Sequence, residues 1–398
     1  MEDSDHQPTH SGALIGSNDD LLTEILLRLP VTSILRFKSV SKHWRLLLRH
    51  RHFTHRYDTL LKSPGFFTTD NIYVPYDVEN PTTPLFRSLD FYPDPRGIRI
   101  VQSCNGLLLC CTYRGSIDAR KYYVFNPTTK QFAFVPCLPG GYEVRKTIRF
   151  MGLAFHRTDC VHYKLVCIRS LESDDDDDVE LFQIQIYSSD TREWRICPVT
   201  FRTDCPVFDM GVYWNGAIHW APSYRNHLYF KIDAEQLQTL PSPVEMTIFQ
   251  TLTMYFGESR GHLHLTVLVD SDETGLHLNV YEMLGDHSGW FVKYQLQLHE
   301  IWGAFPEMTH SSYDFDVVDV VRGVKEEDTF IVLRIHGKLT RCRHNSESVV
   351  HENSYLSEFH HVLQALVLTN QLRWLRMHLE RKWECCCFSH YRGGVVCR

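Results

Sequence analysis

The hydrophobic positions of residues 17–57 repeat at the spacing of an α-helix. In the first run, apolar residues recur at steps of three and four, at Leu21, Leu22, Ile25, Leu26 and Leu29. Such a run predicts a helix with one apolar stripe. Ser17 or Asn18 is a candidate N-cap, and Pro30 ends the run because proline has no N–H to donate. Two further periodic runs follow, so this segment, the helical head, is predicted to form three short helices.

After Leu60–Pro64 the pattern changes from helical to extended. Segments rich in Val, Ile, Tyr and Phe recur, separated by turns that contain Gly, Asn, Asp or Pro. The groups resemble one another, and each closes on a strand with an aromatic or aliphatic landmark, at Phe132, Trp194, Leu237 and Trp290. Repeated units of this kind bury their faces against neighbours, and closing the ring removes exposed sheet edges. The pattern predicts a β-propeller of five or six blades, with an irregular β-sandwich as the alternative.

Helical spacing returns near the C-terminus, in "YLSEFHHVLQALVLTNQLRWLRMHLERKW", where it predicts an amphipathic helix. The fold class is therefore α+β multidomain: a small helical head, a mainly-β body and a C-terminal helix. The predicted parts are a disordered N-terminus at 1–16, the helical head at 17–57, a junction with the first strands at 58–94, the β body at 95–350 and the helical tail at 351–398.

Composition and charge narrow the function classes. The 398 residues are 43% hydrophobic and carry a net charge of −7, although the helical head alone carries +5. This balance argues against binding nucleic acid through bulk positive charge. No apolar run reaches the roughly 18 residues that a membrane-spanning helix needs, and the polar start is unlike a secretion signal. The 13 cysteines have no framework spacing, which favours reduced thiols and a cytoplasmic and/or nuclear protein.

Three short helices in about forty residues cannot bury all the large apolar side chains of the head. The surplus surface must meet either the protein's own body or a partner. The basic residues around it would suit an acidic partner. From the residues alone, both readings stay open.

The segment "NDDLLTEILLRLPVTSILRFKSVSKHWRLLL" resembles the F-box of plant F-box proteins. The resemblance implies a three-helix motif that binds a Skp-type adaptor and, through it, a cullin–RING ubiquitin ligase core. Carried over by position, the adaptor-binding residues would be Leu22, Ile25, Leu29, Pro30, Ile34, Leu35, Val40 and Trp44. The family usually has an apolar residue and a proline where Ser17 and Asn18 stand, so one apolar anchor is missing. It also often has cysteine at the position of Ser39.

The β body resembles the F-box-associated (interaction) domain of plants. The likeness lies in "SCNGLLLC", "VFNPTTKQF", "IYSSDTREW" and "VYWNGAIHW", which occur in the family's order. It implies that the body selects a protein for ubiquitylation and proteasomal degradation. The predicted function is therefore a non-catalytic substrate-recognition subunit of a Skp–cullin–F-box ligase, with an unknown protein substrate and no nucleic acid or membrane partner. The alternative is a non-ligase scaffold or a lectin-like ligand-binding protein.

Several residues invite a chemical role that the pattern does not favour. The Asn-Gly pairs at Asn105 and Asn215 are interpreted as hairpin turns, because both residues tolerate positive φ. The tryptophans beside turns are interpreted as blade-to-blade contacts rather than a stacking surface, at Trp194, Trp214, Trp220 and Trp290. Aspartates 174–178 lack the spacing of a calcium loop. Three adjacent thiols, 385–387, cannot all face one zinc ion, so no metal or cofactor is predicted.

No catalytic set is evident in the sequence either. Cys104 or Cys110 as a nucleophile would need a nearby base, and the 23 histidines are scattered without a motif. We find no phosphate-binding loop and no dinucleotide fingerprint. Any ligase activity is therefore expected to belong to associated subunits.

Overall fold

A computed structural model gives the conformation of most of the head and the body. It describes residues 16, 18–29, 31–50, 52–53, 56–57, 65–67, 73–75, 97–112, 120–127, 131–156, 162–171, 180–203, 208, 211–221, 226–243, 251–271, 275–298, 315–323, 325–335, 338–345 and 348–353. The C-terminal helix predicted for the tail therefore lies outside the described residues. The last strand runs to Asn353, three residues into the segment that the sequence assigned to the tail.

Within the described residues, the head contains the three helices that the hydrophobic spacing predicts, and 52–53 and 56–57 are helical as well. The three helices are α1, α2 and α3, at Asp19–Leu26, Val31–Phe37 and Lys42–Arg49. The side chain of Asn18 caps α1, accepting hydrogen bonds from the backbone N–H groups of Asp20 and Leu21 at 3.1 Å each. Ser41 Oγ caps α3 by accepting from the Trp44 N–H at 3.1 Å. Of the two cap candidates in the sequence, Asn18 is the one used.

A short antiparallel sheet follows the head. Its strands are β1 (Gly65–Phe67) and β2 (Tyr73–Pro75), and Phe66 lies opposite Val74 in the register. Among the described residues, no further strand joins this sheet.

Twenty further strands form five four-stranded antiparallel sheets, each in sequence order. Blade 1 consists of β3 (Ile98–Cys104), β4 (Leu107–Thr112), β5 (Tyr122–Asn126) and β6 (Gln131–Phe134). A short helix, α4 (Gly141–Lys146), leads to blade 2, which consists of β7 (Ile148–Ala154), β8 (Lys164–Leu171), β9 (Leu181–Ser188) and β10 (Glu193–Arg202). Blade 3 consists of β11 (Gly211–Trp214), β12 (Ala217–Trp220), β13 (Asn226–Lys231) and β14 (Gln236–Pro241).

Blade 4 consists of β15 (Thr251–Ser259), β16 (His262–Ser271), β17 (Gly275–Met283) and β18 (Trp290–Gln297). Blade 5 consists of β19 (Phe315–Val321), β20 (Phe330–Ile335), β21 (Lys338–Asn345) and β22 (Ser348–Asn353), with a 3₁₀ turn at Glu326–Asp328. The first strands of successive blades contact one another, which places them at the centre of the assembly. The fold is thus a five-bladed propeller behind an F-box-like head, and the sandwich alternative is wrong.

The core of the propeller lies between the blades. Four hydrophobic clusters each join two successive blades, from blade 1 to blade 5. The second strands are largely buried, for example at Leu109, Val166 and Ile218, because both faces of each sheet are covered. The four landmark residues of the sequence lie in the fourth strands β6, β10, β14 and β18, as predicted.

Candidate protein-interaction site

The helical head has a hydrophobic core of its own. Seven buried residues pack together, from all three helices and the segment after α3: Leu22, Leu26, Leu27, Ile34, Leu48, Phe53 and Tyr57. Tyr57 closes this core by donating its hydroxyl hydrogen to the backbone oxygen of Leu29 at 2.7 Å. The head therefore satisfies its own core with residues of positions 22–57.

The residues predicted to bind the adaptor divide between this core and the surface. Leu22 and Ile34 are buried, at 2% and 5% exposure, and hold the helices together. Leu29 and Trp44 are half-buried and pack against the same core. Pro30 lies outside the described residues, and for Leu35 only the backbone, within α2, is described.

The predicted residues that remain exposed are Ile25 and Val40, at 44% and 57%. Ile25 lies on the outer side of α1, and Val40 follows the end of α2. These side chains are therefore available to a second protein without any rearrangement of the head.

Sequence reasoning missed two exposed leucines. Leu21 is 51% exposed and lies one helical turn from Ile25, so the two form a short apolar stripe on α1. Leu46 is 69% exposed and lies two positions from Trp44 and from Leu48, on the opposite side of α3 from the core. The signal for Leu21 was present in the spacing, but spacing alone does not separate the buried side of a stripe from its exposed side.

Ion pairs tie the helices together at the rim of this surface. Glu24 on α1 pairs with Arg56 and, at 3.5 Å, with Arg28. The hydrogen bond from Arg56 lowers the pKa of Glu24, so this carboxylate stays ionised. His43 Nε2 lies 2.8 Å from Asp19 Oδ1 and joins the first turns of α3 and α1. Arg36, Lys42 and Arg45 are exposed, so the head carries basic side chains at its surface.

In the propeller, the tryptophans join blades as predicted. Trp194 Nε1 of blade 2 donates to the oxygen of Pro136, after blade 1, at 2.8 Å. Trp214 Nε1 of blade 3 donates to the oxygen of Gly261 in blade 4 at 2.7 Å. Trp220 and Trp290 pack within the clusters of blades 2–3 and 3–4. The tryptophans therefore belong to the core of the propeller and not to a stacking surface.

The Asn-Gly pairs are turns with an additional contact to the next blade. Both residues of each pair have positive φ, at 48° and 86° for Asn105-Gly106 and 47° and 77° for Asn215-Gly216. Asn105 Nδ2 donates to the oxygen of Phe155 at 2.7 Å, and Asn215 Nδ2 donates to that of Gly285 at 2.7 Å. These turns therefore join neighbouring blades, and the side-chain amides of Asn105 and Asn215 are engaged within the protein.

The thiols that the sequence offered as nucleophiles are buried. Cys104 and Cys110 are 5% and 1% exposed. Burial raises the pKa of the Cys110 thiol to about 12, with the neighbouring Cys111 adding to the effect. A buried neutral thiol is a poor nucleophile. Within the described part of the chain, no three His, Cys, Asp or Glu residues are placed to hold a metal ion. The cysteines at 385–387 and the aspartates at 174–178 lie outside that part.

The propeller face that carries the loops between second and third strands is described only in part, because 113–119, 172–179 and 222–225 lie outside the described residues. Substrate-binding residues are therefore not assigned. Among the described helices, none is both long and apolar enough to cross a membrane.

Comparison with known proteins agrees with this architecture. A family model of the F-box domain matches residues 18–56, and a model of the F-box associated beta propeller domain matches residues 66–293. The F-box protein At5g07610 of Arabidopsis thaliana is 33% identical in an alignment of 358 positions that covers 82% of this chain and 82% of the relative. The F-box protein At5g49610 of Arabidopsis thaliana is 27% identical over 319 residues, covering 72% of this chain and 81% of the relative. The chain belongs to the family of plant F-box proteins with an F-box-associated β-propeller domain.

Proposed function

We propose that this protein is a substrate receptor of a Skp–cullin–F-box ubiquitin ligase. The observation that carries the proposal is the division of the helical head into a complete core and a separate exposed apolar stripe. If the head packed only against the protein's own body, Leu21 and Ile25 would be buried there. They are instead 51% and 44% exposed.

The stripe of Leu21 and Ile25, extended by Val40, is the proposed contact with the Skp-type adaptor. Burying a large aliphatic side chain stabilises a complex by about 1.5–3 kcal/mol when it is fully covered. Leu22 and Ile34 take part indirectly, because they fix α1 and α2 from inside the core. The exposed basic residues Arg36, Lys42 and Arg45 would suit an acidic adaptor and speed its association.

The propeller is proposed to hold the protein substrate. Its rigid blades would present loops, which on a rigid scaffold often carry the residues that bind. Ubiquitin transfer then depends on proximity, since a tethered substrate meets the transfer machinery at a high effective concentration. The transfer chemistry belongs to the associated subunits, the cullin–RING core among them. This role places the protein in the cytoplasm, the nucleus or both.

The test is calorimetric titration of the full-length protein with a purified plant Skp-type adaptor. We expect the unmodified protein to bind, and Leu21→Asp with Ile25→Asp to weaken binding by at least about a hundredfold, because two charges would enter an apolar contact. Leu284→Asp is the matched control, since Leu284 is similarly exposed, at 42%, but lies in the propeller. No binding by the unmodified protein, or equal binding by the double variant, would overturn the proposal.

A further inference from the structure

One corner of blade 2 carries a group of basic side chains, which we call the basic corner. Its members, all half-buried or exposed, are Arg145, Lys146, Arg149 and Arg169. The first two lie in the last turn of α4, the third lies in β7, and the last lies in β8. Arg169 is opposite Ile148 in the strand register, so it reaches from the second strand the same corner that α4 enters.

Hydrogen bonds through Thr147 fix the parts of this corner to one another. Thr147 Oγ1 donates to the Val144 oxygen at 2.7 Å and accepts from Arg169 Nε at 3.0 Å. The Ser170 N–H donates to the Thr147 oxygen at 2.8 Å, which attaches the end of α4 to β8. The segments that carry the cations are therefore held in place before any partner arrives.

Two guanidinium groups of the corner have no counter-ion within the described part of the chain. Arg145 and Arg169 are half-buried, and neither forms an ion pair with a described carboxylate. Arg145 Nη2 instead donates to Cys137 Sγ at 2.7 Å, and Arg169 Nε donates to the Thr147 hydroxyl. Taking a charge partly out of water is costly unless the charge is paired. Two half-buried cations that contact only neutral groups therefore favour an anion from outside.

Arg149 extends the corner towards solvent. It lies at a β-bulge between Ile148 and Phe150, and a bulge turns a side chain away from the regular alternation of its strand. Arg149 Nη2 lies 2.5 Å from Glu180 Oε1, and the two side chains are 40% and 41% exposed. An ion pair this exposed contributes little to stability, so Arg149 can exchange Glu180 for a partner's carboxylate.

The carboxyl end of α4 accounts for only part of this positive charge. Cations stabilise the last turn of a helix because its free carbonyl groups carry partial negative charge, and Arg145 and Lys146 have that position. The guanidinium group of Arg145, however, donates to Cys137, and Arg169 belongs to a strand. The corner therefore concentrates more positive charge than the six-residue helix requires.

The basic corner lies on the face of the propeller opposite the Asn-Gly turns. Those turns follow the ends of the first strands β3 and β11, whereas Arg149 lies at the start of the first strand β7 and Arg169 lies near the end of β8. The loops between second and third strands leave the blades on this same face. Since loops on a rigid scaffold often carry binding residues, the corner lies where a partner of the propeller would be held.

We propose that the basic corner binds an acidic segment of the protein substrate, an inference that rests on the proposed function and names the substrate class. Guanidinium groups bind carboxylates through two parallel hydrogen bonds. The three guanidinium groups are held by different neighbours, Cys137, Thr147 and Glu180, and so do not converge on one point. This spread suits several carboxylates along an extended segment better than one compact anion. Because the chain as a whole carries −7, the corner is a local contrast that would attract such a segment.

The test is fluorescence anisotropy of the full-length protein with a labelled peptide of alternating glutamate and serine, without any adaptor present. We expect the unmodified protein to bind this peptide, and to bind it more weakly as sodium chloride is added, because salt screens exposed charges. A peptide of alternating glutamine and serine has no side-chain carboxylate and should not bind.

Arg145→Gln with Arg169→Gln should weaken binding of the acidic peptide by at least about tenfold, because two charge-assisted contacts are lost. Arg260→Gln with Lys325→Gln is the matched control, since it removes two exposed charges that follow the first strands β15 and β19, on the opposite face. Arg149→Gln changes an exposed position and should weaken binding by about threefold. This single variant keeps the test decisive if the double variant fails to fold.

No binding of the acidic peptide by the unmodified protein, or equal binding by the variants of the basic corner, would overturn the inference. An oligouridylate that binds as tightly as the acidic peptide or more tightly would assign the corner to nucleic acid and would also overturn it. If the peptide binds only after aspartates 174–178 are changed to asparagine, those aspartates occupy the corner and the inference is wrong. A protein that binds the adaptor but not the peptide would keep the ligase role, so the two failures are distinguishable.

Discussion

The side-chain amide of Gln102 hydrogen-bonds both backbone groups of Leu153 in the neighbouring blade. Gln102 Nε2 donates to the Leu153 oxygen at 3.1 Å, and the Leu153 N–H donates to Gln102 Oε1 at 2.7 Å. Leu153 is fully buried, so water cannot replace either bond. The Gln102 side chain thereby links the first strands of blades 1 and 2 through one donated and one accepted hydrogen bond, as the backbone of a neighbouring strand would.

Replacing Gln102 with alanine should destabilise the propeller by about 1–3 kcal/mol, because two buried backbone groups lose their partners. Urea unfolding followed by fluorescence measures the change. Gln131→Ala is the control, since Gln131 is exposed on β6, and its effect should stay within about 0.5 kcal/mol. Equal stability of Gln102→Ala and the unmodified protein would show that the two bonds contribute nothing net.

Sequence patterning predicted the elements better than the contacts between them. Alternation and turn residues were enough to place Trp194 and Trp214 beside turns and to interpret them as blade-to-blade contacts. Gln102 gave no such signal, because a polar residue in a strand looks the same whether it faces solvent or a neighbouring backbone. The number of blades was also left between five and six, since irregular loops blur the repeat length.

For the helical head too, the sequence predicted where the helices lie but not which of their side chains are exposed. Helix positions followed from local rules, which also narrowed the N-cap of α1 to Ser17 or Asn18, of which the structure uses Asn18. Side-chain exposure did not follow from these rules, since Leu21 and Leu22 are adjacent apolar residues, yet Leu21 is 51% exposed and Leu22 only 2%. That difference depends on how three helices pack, and a one-dimensional pattern does not contain that information.

Gly211 is needed because the ring of Phe150 occupies the space where a side chain would begin. A Cβ on Gly211 would lie 2.3 Å from Phe150 Cζ and 3.2 Å from Trp220 Nε1. Gly211→Ala should therefore destabilise the junction of blades 2 and 3 by about 1–3 kcal/mol, as overpacking does. Thermal and urea unfolding measure this loss.

Two variants separate the clash from a general effect of alanine. Gly285→Ala has open space around its Cβ, with nothing within 4 Å, and should be close to neutral. Adding Phe150→Leu to Gly211→Ala should recover part of the loss, because the smaller side chain leaves the Cβ room. Purely additive effects of the two substitutions would contradict a direct clash.

Glu282 connects blade 4 to blade 5 through an ion network. His262 Nδ1 lies 2.8 Å from Glu282 Oε1, and Arg322 Nη1, from the loop after β19, lies 3.5 Å from Oε2. Burial alone raises the pKa of Glu282, but its interactions with His264, His262 and Arg322 outweigh burial and hold the pKa at about 2. Since the pKa is lower in the folded state, this carboxylate contributes stability above about pH 4.5, and the contribution is lost as the pH falls.

Glu282→Gln should cost about 1–3 kcal/mol of unfolding free energy near neutral pH, because Arg322 and His262 lose their charged partner. The difference in unfolding free energy between the two proteins should shrink below about pH 4.5, because the stabilising contribution of the Glu282 carboxylate is lost as the pH falls. Glu327→Gln is the control: Glu327 is 70% exposed and pairs with Lys325 at 3.2 Å, so little change is expected. A loss for Glu282→Gln that did not vary with pH would point to packing and not to charge.

A stack of three histidines at the junction of blades 3 and 4 should make the propeller sensitive to acid. His219 and His227 are both fully buried, with Nδ1 of the first 2.9 Å from Nε2 of the second. The ring of His287 stacks on His219 at 5.2 Å between centroids. The charged groups that influence the stack are Lys231 and Asp286, which act on His287. Burial lowers the pKa of His219 and, together with His287, lowers that of His227 to about 3.

The sign of the pH effect follows from these shifts. Below about pH 6.5 the unfolded chain takes up a proton at each histidine, whereas the folded pair stays neutral, so the free energy of unfolding falls as the pH falls. For His227 the loss between about pH 7 and pH 5 amounts to about 2 kcal/mol. His227→Gln keeps a hydrogen-bonding side chain but does not titrate. Urea unfolding at both pH values should therefore show a pH-dependent loss smaller by about 2 kcal/mol in this variant. His162→Gln removes an exposed histidine outside the stack and serves as the control. If His227→Gln lost as much stability as the unmodified protein over the same range, His227 would have to take up its proton in the folded state too, which would contradict its lowered pKa.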